Sequence, residues 1–366
     1  MGGEQRQQRP GERATDPGDT DPGDTDQGGR LAPGGAGLRA RTPLRVSFFG
    51  GGTDYPEYLG RSRGAVVGMA IDRYVHVTLA RPAGPGAARS QVSDARIGAG
   101  AAAVEADAHP VVGAVLRHYA APPGLRIGVA ADLPARSGLG GSSAFAVGLL
   151  HLLFALQGRP AGKRDLAQGA VFVERELLGQ PVGLQDPFHA AFGGLNRFDF
   201  VDGETRVTQL VLPAACAAAL TGSLFLLATG VARAPGGTLD EQLRRTESGA
   251  ADRDLSHLLA LTEQAVAVLQ GGEPTRLLAE FGALLHEGWE TKKRLSSRVS
   301  APAIDLLYAQ ARAAGALGGK LCGAGGGGYL LLLVPPARQA GFLAAMRGAR
   351  LLPIGLDRSG SVLLPA

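Results

Sequence analysis

Apolar and polar residues alternate through Leu44, Val46 and Phe48 in the run RTPLRVSFF, which predicts a strand. The strand breaks at Gly50, Gly51 and Gly52 into a polar turn carrying Thr53 and Asp54. A second strand is expected at Tyr74 to Leu79, where Tyr74, His76 and Thr78 alternate with Val75, Val77 and Leu79. After a Gly/Ala-rich excursion, a helix near Val111 to Tyr119 and a strand at Leu125 to Ala131 lead into LPARSGLGGSSAFAVGLL, residues 133–150. Asp165 to Leu178 reads as a helix, with Leu166, Ala170, Val173 and Leu177 on one face. Gly179, Pro181 and Gly183 end it and open the segment GLQDPFHAAFGGLNRF, and strands follow at Leu195 to Phe200 and Thr205 to Leu212.

The second half predicts a strand at Ser223 to Ala228, a loop through Pro235 to Gly237, and helices at about 239–246, 253–270 and 274–292. A helix at Pro302 to Ala314 starts on a proline, whose missing N–H is no loss in a first turn. A Gly-rich turn then enters a strand at Tyr329 to Val334, followed by a helix from about Ala337 and one last strand. Strands and helices mixed in both halves give an α+β class. A boundary near Pro213 divides the chain into 39–213 and 214–366. Residues 1–38 carry a duplicated DPGDT and almost nothing apolar, so they read as a disordered tail.

At 366 residues with 45% hydrophobic content, the chain is long enough for two domains with sizeable cores. Its charge of +4 comes from 37 basic and 33 acidic residues without a basic block, which argues against nucleic acid and for a small anionic partner. Two cysteines, Cys216 and Cys322, make no disulfide framework. The longest apolar run, Ala144 to Leu156, is short of the ~20 residues a membrane span requires. A soluble cytoplasmic protein that touches no membrane is the expectation.

The stretch at 133–150 carries the chemistry. Pro134 opens a turn into Gly138, Gly140 and Gly141, then two serines and an apolar helix. Glycines let a backbone approach a ligand closely, and the free N–H groups and dipole of the helix start suit phosphate. A Gly-Ser run is otherwise a flexible linker, but a linker needs no buried helix behind it. Gly323, Gly325 and Gly328 satisfy GxGxxG, yet this run opens a strand and not a helix, which excludes a Rossmann dehydrogenase. Neither loop has the P-loop spacing, and HEGWE at 286–290 lacks the second histidine of a zinc helix.

Asp186 follows a Gly/Pro-rich turn and precedes an apolar helix, where it could be an N-cap. Glu174 could be a solvated charge in the row Glu174, Arg175, Glu176. A carboxylate and a hydroxyl beside a phosphate loop would also hold magnesium. Only four lysines occur, and Lys292, Lys293 and Lys320 fall in the last quarter, either on a solvated face or facing a phosphate.

Three separated segments, PLRVSFFGGGTDY (43–55), PARSGLGGSSA (134–144) and KLCGAGGGGY (320–329), together resemble the signature motifs of the GHMP small-molecule kinases, the group of galactokinase, homoserine kinase and mevalonate kinase. The resemblance covers residues 39–366. Within that family, GGGTDYPEY, QDPFHAAFGGLN and HEGWETKKRLS are most similar to D-glycero-D-manno-heptose 7-phosphate kinases. It implies an N-terminal domain with a left-handed β-α-β crossover, a ferredoxin-like C-terminal domain and a cleft between them. It further implies ATP and Mg2+, and transfer of phosphate to the anomeric hydroxyl of a sugar phosphate, giving the 1,7-bisphosphate. Alternatives are an anomeric kinase for an unphosphorylated sugar, galactokinase- or fucokinase-like, or a sugar-phosphate-binding regulator without catalysis.

By that resemblance Pro134, Gly138, Leu139, Gly140, Gly141, Ser142, Ser143 and Ala144 wrap the ATP phosphates, approached by Gly325 and Gly326 of the late glycine run. Ser143, or Ser142, with Glu174 holds magnesium. Asp186 is the base near the acceptor hydroxyl, with Arg45 beside it. Gly52, Thr53 and Asp54 orient the sugar. Lys292, Lys293, Arg294 and Lys320 are the candidates for a distal phosphate, with Arg61 and Arg63 as alternatives. Two departures stand out: Gly51 and Gly52 replace the Glu-His of galactokinases, and Phe48 and Phe49 sit where polar or aliphatic residues are usual.

Overall fold

The computed structural model describes residues 37–81, 89–94, 103–231 and 237–365; the tail expected at 1–38 lies outside these up to residue 36, as does most of the loop at 235–237. The first part of the chain runs β1 (Leu38–Phe49), α1 (Pro56–Leu59), β2 (Gly64–Ala80), β3 (Gln91–Asp94), β4 (Val104–Glu105), α2 (Pro110–His118) and β5 (Arg126–Ala131). It continues through α3 (Gly141–Leu156), α4 (Lys163–Phe172), α5 (Gln185–Phe192), β6 (Leu195–Val201) and β7 (Glu204–Gln209). Then come α6 (Ala214–Thr221), β8 (Leu224–Ala228), α7 (Thr238–Glu247), α8 (Asp252–Gln270), α9 (Pro274–Lys293) and α10 (Pro302–Ala313). The last elements are β9 (Gly318–Leu321), β10 (Tyr329–Leu333), α11 (Pro336–Ala345), β11 (Leu351–Pro353) and β12 (Val362–Leu364).

The first sheet is ordered β12-β1-β2-β5-β3-β4, with β6 on the free half of β2 and β7 beyond it. The long strand β2 makes this branching possible, since Val75 to Ala80 pair with β5 while Gly64 to Met69 pair with β6. Only its second half was expected to be a strand. The first half, GAVVGMAI, is continuously apolar and buried, so it lacks the alternation that marks a half-exposed strand. Helix α3 is apolar on every side and buried from Ser143 to Phe154, wedged between β1, β2 and the helices α4 and α5.

The second sheet is ordered β11-β8-β10-β9 and is antiparallel throughout. Numbered within itself the order is 4-1-3-2, the ferredoxin-like arrangement. Its strand β9 was expected to be part of a Gly-rich turn. Gly319 sits there because a Cβ would come within 2.4 Å of the Leu331 carbonyl. The expected single last strand is two strands, and β12 does not stay with the second sheet. It pairs with β1, Arg41 facing Val362, so the end of the chain returns to the first sheet.

Phe48 and Phe49, unusual by sequence, receive Phe281 of α9 edge-on at 5.2 and 5.1 Å, which packs α9 against the end of β1. The HEGWE segment is structural as well. His286 bonds the Tyr308 hydroxyl at 2.8 Å, and Glu287 meets His257 at 2.8 Å.

Candidate active site

Strand β1, the turn after it, the start of α3, the start of α5 and the loop after β9 surround one cleft of about 300 Å³. At its centre, both oxygens of Asp186 accept from Arg45, from Nε and from Nη2, each at 2.7 Å. A third Arg45 nitrogen donates to the Gly138 carbonyl at 2.6 Å, and the Arg45 main-chain N–H donates to the Leu139 carbonyl at 3.0 Å. One guanidinium thus fixes the position of the carboxylate relative to the glycine loop. Arg45 is only 6% exposed. Burial works against its charge, but Asp186 more than offsets this and holds its pKa above the ordinary value. Asp186 is no cap: it is the second residue of α5, whose N-cap is Leu184.

The glycine loop turns into α3 through Gly138 and Gly140, with φ of +83° and +76°. A Cβ on Gly138 would lie 2.5 Å from the Cys322 carbonyl, so the early and late glycine loops touch there. Gly138, Gly140, Gly141, Ser142 and Ser143 line the cleft. Leu139 and Ala144 are buried behind it. Pro134 lines a neighbouring apolar pocket of about 220 Å³ with Leu44, Val75 and Phe145. This pocket and the cleft share Arg136, Ser137, Gly141 and Ser142. Of the late run, Gly323 and Ala324 line the cleft. Gly325 and Gly326 instead pack on Val299 and Thr238.

Glu174 is fully buried, not solvated, in a π-helical turn that continues α4 over Val173–Leu177. Its Oε2 accepts from the Ser143 hydroxyl at 2.7 Å. Its Oε1 has no partner among the described residues. Burial pushes its carboxyl up to about 7, against hydrogen bonds from Ser143 and Ser142. An orphaned carboxylate oxygen beside two serine hydroxyls at a helix start suits a hard cation that keeps most of its waters. Among the described residues no cluster of three or more His, Cys, Asp or Glu could hold a metal.

Asp54 is buried beneath the cleft and accepts from Gly52 N at 3.1 Å, from Gln185 N at 3.3 Å and from Gln185 Nε2 at 3.0 Å. Burial raises its carboxyl above the usual range. Gly52 lines the cleft as well. Thr53 does not: its hydroxyl donates to Gly50 O at 2.8 Å and Ala65 O at 3.1 Å and accepts from Ala65 N, which ties the turn to β2.

Lysines divide in the same way. Lys292 and Lys320 line the cleft. Lys292 donates to the Leu321 carbonyl at 3.1 Å and to that of Gly323, steadying the late loop. Lys293 points elsewhere, pairing with Glu290 at 2.8 Å over the Trp289 ring. Arg294 pairs with Asp254, Arg61 with Asp252 and Arg63 with Glu263, all away from the cleft lining. Sequence reasoning missed Ser47, Tyr55, Arg136, Leu239 and Gln242, which also line the cleft. The first three adjoin motif residues and could have been found. Leu239 and Gln242 arrive on α7 by tertiary packing alone.

The profile described as GHMP kinases N terminal domain matches residues 106–194, and that described as GHMP kinases C terminal matches residues 273–349. The chain is similar to a D-glycero-alpha-D-manno-heptose 7-phosphate kinase of Campylobacter jejuni, 27% identical over 322 residues, spanning 85% of this chain and 93% of the relative. Two solved structures share the fold. A D-glycero-D-manno-heptose 1-phosphate kinase from Bacteriodes thetaiotaomicron is 24% identical with a TM-score of 0.67, covering 90% of this chain and 99% of that one. Lactococcus lactis galactokinase complexed with galactose is 17% identical with a TM-score of 0.69, covering 89% and 95%.

Proposed function

Since the chain belongs to the GHMP kinases, with both an N-terminal and a C-terminal domain of that family, we propose that it is a sugar kinase that phosphorylates an anomeric hydroxyl. The acceptor we assign is D-glycero-D-manno-heptose 7-phosphate and the product its 1,7-bisphosphate. The observation that carries this reading is the Arg45–Asp186 pair, held against the same glycine loop whose Ser143 meets Glu174. A binder without catalysis has no use for a carboxylate aimed at the phosphates and a second one buried beside them.

The phosphates of ATP lie along the loop from Gly138 to Ser143, met by its N–H groups and the positive end of α3. The apolar pocket beside Pro134 is continuous with that loop and receives the base. Glu174 and Ser143 would hold magnesium, which neutralises charge on the phosphates when bound. Asp186 accepts the proton of the anomeric hydroxyl on a lone pair that Arg45 leaves open. The anomeric oxygen then bonds to the γ-phosphorus, the bond from that phosphorus to the bridging oxygen breaks, and its electron pair leaves with ADP. Asp54, locked by Gly52 and Gln185, orients the sugar. Such a reaction needs chiefly position and charge neutralisation, which these residues supply.

The test is to incubate the protein with Mg-ATP and, in turn, D-glycero-D-manno-heptose 7-phosphate, the same heptose without phosphate, galactose and mevalonate, following ADP release and the phosphorus spectrum of the product. Turnover of the heptose 7-phosphate with a new phosphate at C1 is expected. Faster turnover of an unphosphorylated sugar would replace the assigned acceptor. No turnover of any of them would remove the kinase reading.

A further inference from the structure

Lys320 is a buried cation that the mechanism above leaves unused. It is 6% exposed, at the end of β9. Its ammonium donates to the Phe48 carbonyl at 3.0 Å, its one hydrogen bond to a described residue, and no described carboxylate lies within ion-pair distance. A buried ammonium with a single main-chain acceptor is unfavourable unless an anion completes its surroundings.

The position of Lys320 says which anion. On one side its strand runs into Cys322, whose carbonyl fits against Gly138 of the phosphate loop. On the other side lie β1, through Phe48, and the acceptor groups Arg45 and Asp54, close enough to act on its charge. It lines the cleft between the nucleotide's phosphates and the acceptor carboxylates. A distal phosphate belongs to the end of the sugar remote from its anomeric oxygen, and so cannot lie there.

We propose that Lys320 contacts the transferred phosphoryl group itself and stabilises its equatorial oxygens during transfer, and that it is not the receptor for a phosphate on the sugar. This rests on the kinase reading. As the bond to ADP breaks and the bond to the anomeric oxygen forms, negative charge spreads over the three oxygens of the moving group. The ammonium meets that charge without having to reorganise, because Phe48 and the strand already hold it.

The groups facing Lys320 give the proposal a pH signature. Burial lowers its pKa to about 8; Cys322 just after its strand and Asp54 of the turn after β1 draw the proton back, while Arg45 of β1 repels it. Lys292 of α9 adds a further positive charge beside Cys322. In the free enzyme the charged form is lost as pH rises through about 8, and kcat/KM falls with it.

The experiment compares wild type with K320M and K320R. Binding of ADP alone and of ADP with aluminium fluoride and Mg2+ is measured by titration calorimetry, and kcat/KM is followed from pH 6 to 10. K320M is expected to bind ADP as wild type does but the fluoroaluminate complex about 100-fold more weakly, and to lose roughly 100- to 1000-fold in kcat, the usual effect of removing one such donor. K320R is expected to lose the alkaline limb near pH 8, because a guanidinium keeps its proton there. Equal affinity of K320M for both complexes, or a limb near pH 8 that persists in K320R, would overturn the proposal. If K320M does not fold, K320R decides. Wild type that phosphorylates another sugar but not the heptose 7-phosphate, while K320M still binds ADP normally and its fluoroaluminate complex weakly, would sink the acceptor reading and leave this one standing.

Discussion

Asp186 and Arg45 meet through two parallel hydrogen bonds of 2.7 Å, although 141 residues separate them in the chain. The geometry fixes a carboxylate in the plane of a guanidinium, and the Gly138 carbonyl fixes the guanidinium. Asp186→Asn keeps the shape but cannot take the acceptor's proton, so kcat should fall by about two to four orders of magnitude. ATP affinity should stay close to wild type. Arg45→Lys loses the fork and should cost roughly tenfold or more in kcat. Steady-state kinetics with nucleotide titrations check both, and near-normal turnover by Asp186→Asn would remove it from the chemistry.

Glu174 makes a prediction about pH. Its folded-state pKa of about 7 exceeds the ordinary 4.5, so the folded form binds its proton more tightly than the unfolded form does. Without divalent cations, its effect on stability is therefore greatest below about pH 4.5 and is lost as pH rises to about 7, by an amount of roughly 3 kcal/mol. Denaturant melts should show this slope in wild type and a flatter one in Glu174→Gln. Magnesium should restore stability above pH 7 in wild type and much less in the variant.

Two glycines separate the two substrates. A Cβ on Gly183 would lie 2.2 Å from Asp54 Oδ2 and displace that carboxylate. Gly183→Ala should raise the sugar KM at least about tenfold and leave that for ATP within about twofold, since the Asp54 cradle is disturbed and the phosphate loop is not. Gly138→Ala combines φ +83° with a clash against Cys322. It should raise the ATP KM and lower stability by about 1–3 kcal/mol. Equal effects on both substrates from either change would contradict the partition of the cleft.

Lys293 serves as the control for the lysines. It pairs with Glu290 and lies over Trp289, outside the cleft lining. Lys293→Ala should change kcat and both KM values by no more than about twofold, because a half-buried i,i+3 pair at the surface contributes only a few tenths of a kcal/mol. A large rise in the sugar KM would return it to the site.

The glycine loop was legible in sequence as a turn feeding a helix start, whereas Arg45, in mid-strand, and Glu174, in the π turn after α4, carry no such local pattern and were named through the resemblance; the structure brings Arg45 onto Asp186 and Glu174 onto Ser143 of that loop. Thr53 misled because a hydroxyl in a motif can equally serve the backbone, and here Gly50 and Ala65 take it. Lys293 misled because adjacent positions on α9 face different ways, so Lys292 enters the cleft and its neighbour does not. Strand β9 was hidden by its glycines, and α6 by an alanine run read as a boundary. The return of β12 carries no local signal, since pairing at such separation depends on the whole fold.

That return has a consequence for how the molecule is made. Thr42 and Ser361 share a hydrogen bond across 319 positions, beside the rung where Arg41 pairs with Val362. On the ribosome, the outer edge of β1 therefore stands bare while nearly everything between is synthesised, an exposed template for stray pairing with other nascent chains. The strand bearing Arg45 gains its last neighbour only when residues 362–364 emerge, so the first sheet is completed late in translation.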